Sequence, residues 1–429
     1  MIIENFKSEK KANRKRISAT VRWEDCDHED FEVYFEIDEK FAEDFNSNPH
    51  AALSAYLIPA LRHGEERIFI EAEICPEFKD GANTAMSWMS HWFYGENRKP
   101  LRIEAKTRSK IPNTRSRAGL LFSGGVDSMA SLRTNRLNFP LEHPGSIKDG
   151  IFAYGFDVRF EESFDEMVGS LSDIVEETGI TLLTFSSNLF SHYLSLDLDL
   201  LIKAPGVWAC QYQGGALAGA AHLFTKRLDV VKIACTYDIA NLRPFGNHPL
   251  IEPNFSSHDM QIRHDGITLS RLDKVKLIAD WDVGLQSIRV CNQISVWDAG
   301  SQSFRERNPL EPGEINCGKC NKCVVTMLAL LVAGALHKAS TFPNNDISED
   351  LILSSFSPND QNNCEFVDLI APLAEIGRDD LARAIEHKMT AYLNRESGLK
   401  AWAKRFDRKY LRGNLAGFKR AIHNRAVRS

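Results

Sequence analysis

Two strings in this sequence carry residue types that do chemistry. The first, Ser123-Gly124-Gly125-Val126-Asp127-Ser128, follows the short apolar run 118–122 and precedes a helix-forming stretch over 128–138. Paired glycines let a backbone turn sharply and approach a ligand closely, because no Cβ intervenes. The loop amides, the hydroxyls of Ser123 and Ser128 and the helix N-terminus together make an anion cradle. Asp127 would repel a bare phosphate, but it suits a Mg²⁺ ion that arrives with a nucleotide. The competing reading is a glycine turn whose serine and aspartate cap a helix. The strand–loop–helix context favours phosphate recognition. The loop is neither a Walker A string nor a dinucleotide loop, since G-x-x-x-x-G-K-[ST] and G-x-G-x-x-G are both absent.

The second string is Cys317-Gly318-Lys319-Cys320-Asn321-Lys322-Cys323, with Cys291 preceding it by twenty-five intervening residues. Two successive x₂ turns bring three sulfurs around one point, and the distant fourth completes a tetrahedron. Four soft thiolates with no open position describe a structural Zn²⁺ site. Iron–sulfur clusters use similar spacings, but the nearby fourth Cys and the Pro of the bacterial ferredoxin run are missing. The other five cysteines, Cys26, Cys75, Cys210, Cys235 and Cys364, stand among apolar neighbours and read as core packing rather than a disulfide framework.

The loop string resembles that of the PP-loop ATP-pyrophosphatases, which include asparagine and GMP synthetases, tRNA thiolases and 7-cyano-7-deazaguanine synthases. Together with the later Cys and C-G-x-C-x-x-C, it is similar to the 7-cyano-7-deazaguanine synthases (QueC-like proteins) over about 118–336, half of the chain. The resemblance implies an adenine nucleotide alpha hydrolase-like sheet and ATP held by Ser123 to Ser128. It also implies adenine contacts from the end of the second strand, at Tyr154, Gly155 and Phe156, and zinc on Cys291, Cys317, Cys320 and Cys323. Pro205-Gly206-Val207 is similar to the family's P-G-R-N segment, but Val207-Trp208 replaces the Arg-Asn pair. Ser270 to Lys276 resembles the basic segment before a helix in relatives. Lys274 first and Arg271 second are therefore expected beside the α-phosphate, where a cation stabilises developing charge; a capped, charged helix start is the alternative. His248 and Arg243 are further pocket candidates.

These residues need a scaffold. Alternating strands and helices after residue 118 predict a parallel, helix-covered sheet, an α/β class: strands at 118–122, 151–156, 181–185 and 230–236, helices at 128–138, 164–178 and 214–225. Residues 1–110 read as an α+β accessory domain, with strands at 17–23, 31–37, 67–74 and 101–105. Helices are expected at 49–63, kinked or broken at Pro59, and at 84–93. The basic stretch 106–117 reads as a linker, 118–342 as the nucleotide domain and 343–429 as a helical extension, where Leu399, Trp402, Phe406 and Tyr410 recur at helical spacing.

Composition sets outer bounds. The charged start lacks a signal-peptide core, and the longest apolar run, 324–336, is too short to span a bilayer, so a cytoplasmic protein without membrane attachment is expected. Net charge is −6, yet residues 395–429 hold eleven Lys/Arg against two Asp/Glu, so this tail is +9 and the remainder −15. Such a tail fits a nucleic-acid or acidic partner, or simply a solvated helix face. Oligomeric state is not legible.

The family resemblance implies an AMP- and pyrophosphate-forming ligase that activates a 7-deazaguanine carboxylate with ATP and Mg²⁺. The added N- and C-terminal segments resemble the enlarged QueC-like proteins of bacterial defence gene clusters, which implies a partner-protein amine as acceptor in place of ammonia. Two alternatives stay open: a tRNA-modifying thiolase with an iron–sulfur cluster, and a non-catalytic nucleotide-binding assembly subunit.

Overall fold

The computed structural model describes residues 1–95, 98–108, 116–156, 161–197, 206–291, 295–298, 303–306, 315–359 and 362–397. Ten strands build one sheet: β1 (Ile2–Lys11), β2 (Arg14–Arg22), β3 (Phe31–Asp38), β4 (Arg67–Ile74), β5 (Arg102–Thr107), β6 (Ala118–Leu121), β7 (Ile147–Tyr154), β8 (Thr181–Ser187), β9 (Val230–Ala234) and β10 (Gln261–Asp265). Their order is β10-β9-β6-β7-β8-β3-β2-β1-β4-β5. Pairing is antiparallel between β8 and β3, β3 and β2, and β2 and β1, and parallel elsewhere. The class is therefore α/β with a mostly parallel sheet. A separate hairpin pairs β11 (Ser295–Asp298) with β12 (Ser303–Glu306).

The expected boundary at 110–118 does not interrupt the sheet. β3 buries Val33, Phe35 and Ile37 on one face and leaves an edge of backbone groups that need partners. β8 supplies them, pairing Phe35 with Ser187 and Ile37 with Phe185. Phe35, Phe45, Phe185 and Phe224 then share one aromatic core across that junction. Compactness divides the chain elsewhere: one unit comprises Met1–Cys317 with Lys338–Pro343, the other Gly318–His337 with Asn344–Ser429. Among its described residues the second unit is helical, as the sequence predicts, with Phe356 stacked on Phe366 at 3.8 Å. Leu399, Trp402, Phe406, Tyr410 and most of the basic tail lie outside the described residues.

Pro59 does not break its helix, which runs from Pro49 to His63 without interruption. A proline at this position removes the amide that would bond the Ala55 carbonyl. The Tyr193 hydroxyl donates to that carbonyl instead, from a ring with no solvent exposure. The following helix begins earlier than expected, at Pro76, and the stretch 164–178 forms two helices, Glu161–Ser170 and Ser172–Thr178.

Two wholly buried histidines give this core a pH dependence. His222 Nε2 lies 2.8 Å from the Phe255 carbonyl, and His192 Nδ1 lies 2.6 Å from the Tyr56 hydroxyl. Burial lowers His222 to about 4 and His192 to about 3. Above the ordinary histidine value of about 6.5 both states are neutral; below it the unfolded chain takes up protons that the fold excludes. Stability should therefore be full above pH 6.5 and fall toward pH 4, by roughly 1.4 kcal/mol per pH unit for each histidine. Urea midpoints at pH 7.5 and pH 5 check this. Equal midpoints would show that these imidazoles are not held neutral.

Candidate functional site

Strand order reverses between β6 and β9. The chain leaves β6 for β7 and β8 on one side and returns to β9 and β10 on the other. Connections that part in this way leave a crevice beyond the carboxyl ends of the strands, where open α/β sheets bind their ligands. The Gly124-Gly125 loop leaves β6 into this crevice, and Cys235 leaves β9.

Gly124 has φ 74°, and a Cβ there would fall 2.6 Å from Leu171 Cδ2. Gly125 is the N-cap of the helix Val126–Asn138 and offers no side chain to cap its first turn. An anion completes such a terminus. The Arg289 amide donates to the Gly124 carbonyl at 3.1 Å, and the Phe122 amide to the Ile151 carbonyl at 2.9 Å, which fixes the loop on two sides. Ser123 is exposed, Val126 is buried in the core, and the Ser128 hydroxyl donates back to the Gly125 carbonyl at 3.1 Å.

The structure brings Asp127, Lys274 and Arg271 together across 144 and more residues of sequence. Lys274 Nζ donates to Asp127 Oδ1 at 2.8 Å and to the Cys235 carbonyl at 2.7 Å, and lies 3.4 Å from Cys235 Sγ. Arg271 Nη1 approaches Asp127 at 3.4 Å. Burial opposes the Lys274 charge, yet Asp127 and then Cys235 outweigh it and raise the pKa. Burial pushes the Cys235 thiol up to about 11, against the pull of Lys274. The helix Arg271–Ala279 starts in a capping box, with Ser270 and Asp273 satisfying each other's amides. The capped helix start and the cationic site are thus the same device: the box fixes the turn that delivers Lys274. With its ammonium spent on Asp127 and Cys235, Lys274 holds the loop carboxylate, and Arg271 is the more open cation, its side chain 11% exposed against 2% for Lys274.

The other candidates divide. Gly155 has φ 84°, and a Cβ there would meet the Ser187 carbonyl at 1.8 Å, so only glycine fits where β7 ends beside β8. Phe156 is buried against Phe185 and Trp208, whereas Tyr154 is half-buried with its ring 5.5 Å from Phe164. Phe156 is placed as core. Val207 and Trp208 are buried, and Pro205 lies outside the described residues. Arg243 stacks over Tyr237 at 4.3 Å, and His248 packs edge-on to Trp92 at 4.8 Å, with burial lowering it to about 4.

The sulfur atoms of Cys291, Cys317, Cys320 and Cys323 all lie within 4.8 Å of one another. Four thiolates at about 2.3 Å from one zinc would stand about 3.8 Å apart, so the group fits a tetrahedral ion. Gly318, at φ 63°, makes the turn between the first two ligands of the knuckle. Sequence reasoning passed over Asn316, which is wholly buried: its Oδ1 accepts from the Val290 and Cys291 amides at 2.8 and 3.1 Å, and its Nδ2 donates to the Ile288 and Thr341 carbonyls. Its place directly before Cys317 was the available signal. Cys235 carried none, since it is a single thiol directly after a strand.

No protein-family model, no curated protein and no solved structure matches the chain. Among the described residues, no helix is long and apolar enough to cross a membrane.

Proposed function

We propose that the chain is an ATP-dependent, AMP- and pyrophosphate-forming ligase of the PP-loop type, similar to the QueC-like proteins. Its acid substrate is a 7-carboxy-7-deazaguanine, and its acceptor is ammonia or an amine on a partner protein. One observation carries this reading: a glycine-pair loop and a helix N-terminus that begins at a glycine, with no capping side chain on it, stand at the strand-order reversal, beside the Asp127–Lys274–Arg271 cluster.

In this reading the substrate carboxylate oxygen attacks the α-phosphorus of ATP and the bond to pyrophosphate breaks. The amine nitrogen then attacks the acyl carbon, AMP leaves, the nitrogen loses a proton, and an amide remains. The helix amides and Arg271 stabilise charge on the phosphate oxygens as the first bond breaks. Lys274 holds the Asp127 carboxylate in place. A Mg²⁺ ion entering with ATP would neutralise triphosphate charge, and Asp127 is the loop carboxylate that would hold it. The four cysteines would hold a zinc ion that shapes the fold rather than the reaction.

Incubation of the protein with ATP, Mg²⁺ and 7-carboxy-7-deazaguanine should release AMP and pyrophosphate in equal amounts. Release of ADP, or no release with this acid in the presence of ammonia or a coexpressed amine partner, would remove the proposal.

A further inference from the structure

A second cavity, of about 590 Å³, opens at the end of the helix Pro49–His63 and is lined by Arg62, Phe93, Tyr94, Arg98, Leu196 and Asp197. It lies on the same edge of the sheet as the candidate nucleotide site. β2 runs parallel in direction to β8, because each is antiparallel to β3, and β4 begins where β2 ends, just after Gly64. We propose that this cavity is a separate ligand site for a small aromatic carboxylate, gripped by Arg98.

Charge decides the class. Arg62 Nε donates to Asp197 Oδ2 at 2.6 Å, and these two side chains, 23% and 10% exposed, cancel each other. His63 also lines the cavity, but burial and the nearby His28 bring it to about 4, so it is uncharged near neutral pH. Arg98 is left over. Its guanidinium has no hydrogen-bond or ion-pair partner among the described residues and rests over Gly64, where an added Cβ would come within 2.7 Å of it. The carboxyl end of the helix Pro49–His63 holds the cation there by its dipole. Among the described residues one positive charge is uncompensated, which matches a carboxylate monoanion, whereas a phosphate dianion would leave excess negative charge facing Asp197.

Two of the lining side chains offer rings to an aromatic body. Phe93 and Tyr94 present their rings, Leu196 adds apolar surface, and the Tyr94 hydroxyl is tied back to Gln211 Oε1. The volume falls in the range of small-molecule sites. None of this depends on the nucleotide reading.

Calorimetric titration of the full-length protein with benzoate, benzamide and phenyl phosphate at matched ionic strength tests the site. Benzoate should bind at least tenfold more tightly than benzamide, and phenyl phosphate no more tightly than benzoate. Arg98→Gln, at an exposed position, should keep the wild-type melting temperature, lose at least tenfold in benzoate affinity and leave benzamide unchanged. Absence of benzoate binding, an unaltered affinity in Arg98→Gln, or a preference for phenyl phosphate would overturn the assignment. ATP is absent from the titration, so these outcomes are independent of whether the protein forms AMP.

Discussion

Asp127→Asn is expected to slow AMP formation by about two to three orders of magnitude, the usual cost of removing a preorganised electrostatic group. The amide keeps the shape of the side chain and an oxygen for Lys274 Nζ, but it cannot hold Mg²⁺ or balance two cations. Lys274→Met should lose a similar factor for a different reason. The ammonium contacts Asp127 and Cys235 and is nearly inaccessible to solvent, so it acts by holding the carboxylate in place. Its loss should also lower stability by roughly 1–3 kcal/mol, since the Cys235 carbonyl loses its donor inside the protein. Arg271→Gln, at the longer 3.4 Å separation, should cost about tenfold. Pyrophosphate release under saturating ATP, with circular dichroism to verify folding, gives the order. An Asp127→Asn enzyme within threefold of wild type would place the chemistry elsewhere. Because the Lys274 pKa is raised, its charge persists above the ordinary lysine range, and activity should show no loss from its titration between pH 7 and 9.

The parts of this site that sequence reveals are those set by local rules. A glycine pair between an apolar run and a helical stretch is readable because both the turn and the exposed amides follow from neighbouring residues. The cysteine knuckle is readable because its ligands sit at fixed short spacings. Lys274 could be singled out only through a family resemblance, since 147 residues separate it from Asp127 and nothing in its own segment names the partner. Cys235 was invisible for the same reason. Residues 1–110 contain enough strands and helices to look self-sufficient, yet the sheet continues past them because β3 presents an edge that β8 pairs with. β1 and β10 escaped notice through their composition. β1 is largely charged and exposed beyond Ile3, and β10 reads Gln-Ile-Arg-His-Asp with a single aliphatic residue. The helix continues through Pro59 with a tyrosine hydroxyl, 134 positions later, in place of the missing amide, a partner that propensity cannot foresee.

Purified protein should be colourless and carry one zinc per chain, and Cys320→Ser should lose the metal and unfold at a markedly lower temperature. Four sulfurs held within 4.8 Å repel one another as thiolates unless a cation sits among them, and metal binding then becomes part of the folding free energy. Cys320 is also the N-cap of the helix Asn321–Val332 but makes no side-chain cap there, so Cys320→Ser removes a metal ligand without removing a helix cap. A stability loss of several kcal/mol, roughly that of a structural zinc ligand, is expected. The effect should reach the candidate nucleotide site. Asn316 ties the Val290 and Cys291 amides to the segment entering Cys317, and the Arg289 amide holds the Gly124 carbonyl. Loosening Cys291 therefore loosens the glycine-pair loop, and the metal-free protein should bind ATP more weakly as well as melt earlier. Cys364→Ser, a half-buried thiol outside the group, should change neither. Visible absorption with stoichiometric iron and sulfide would instead favour the thiolase alternative, and a protein with no bound metal would leave the four cysteines without a ligand role.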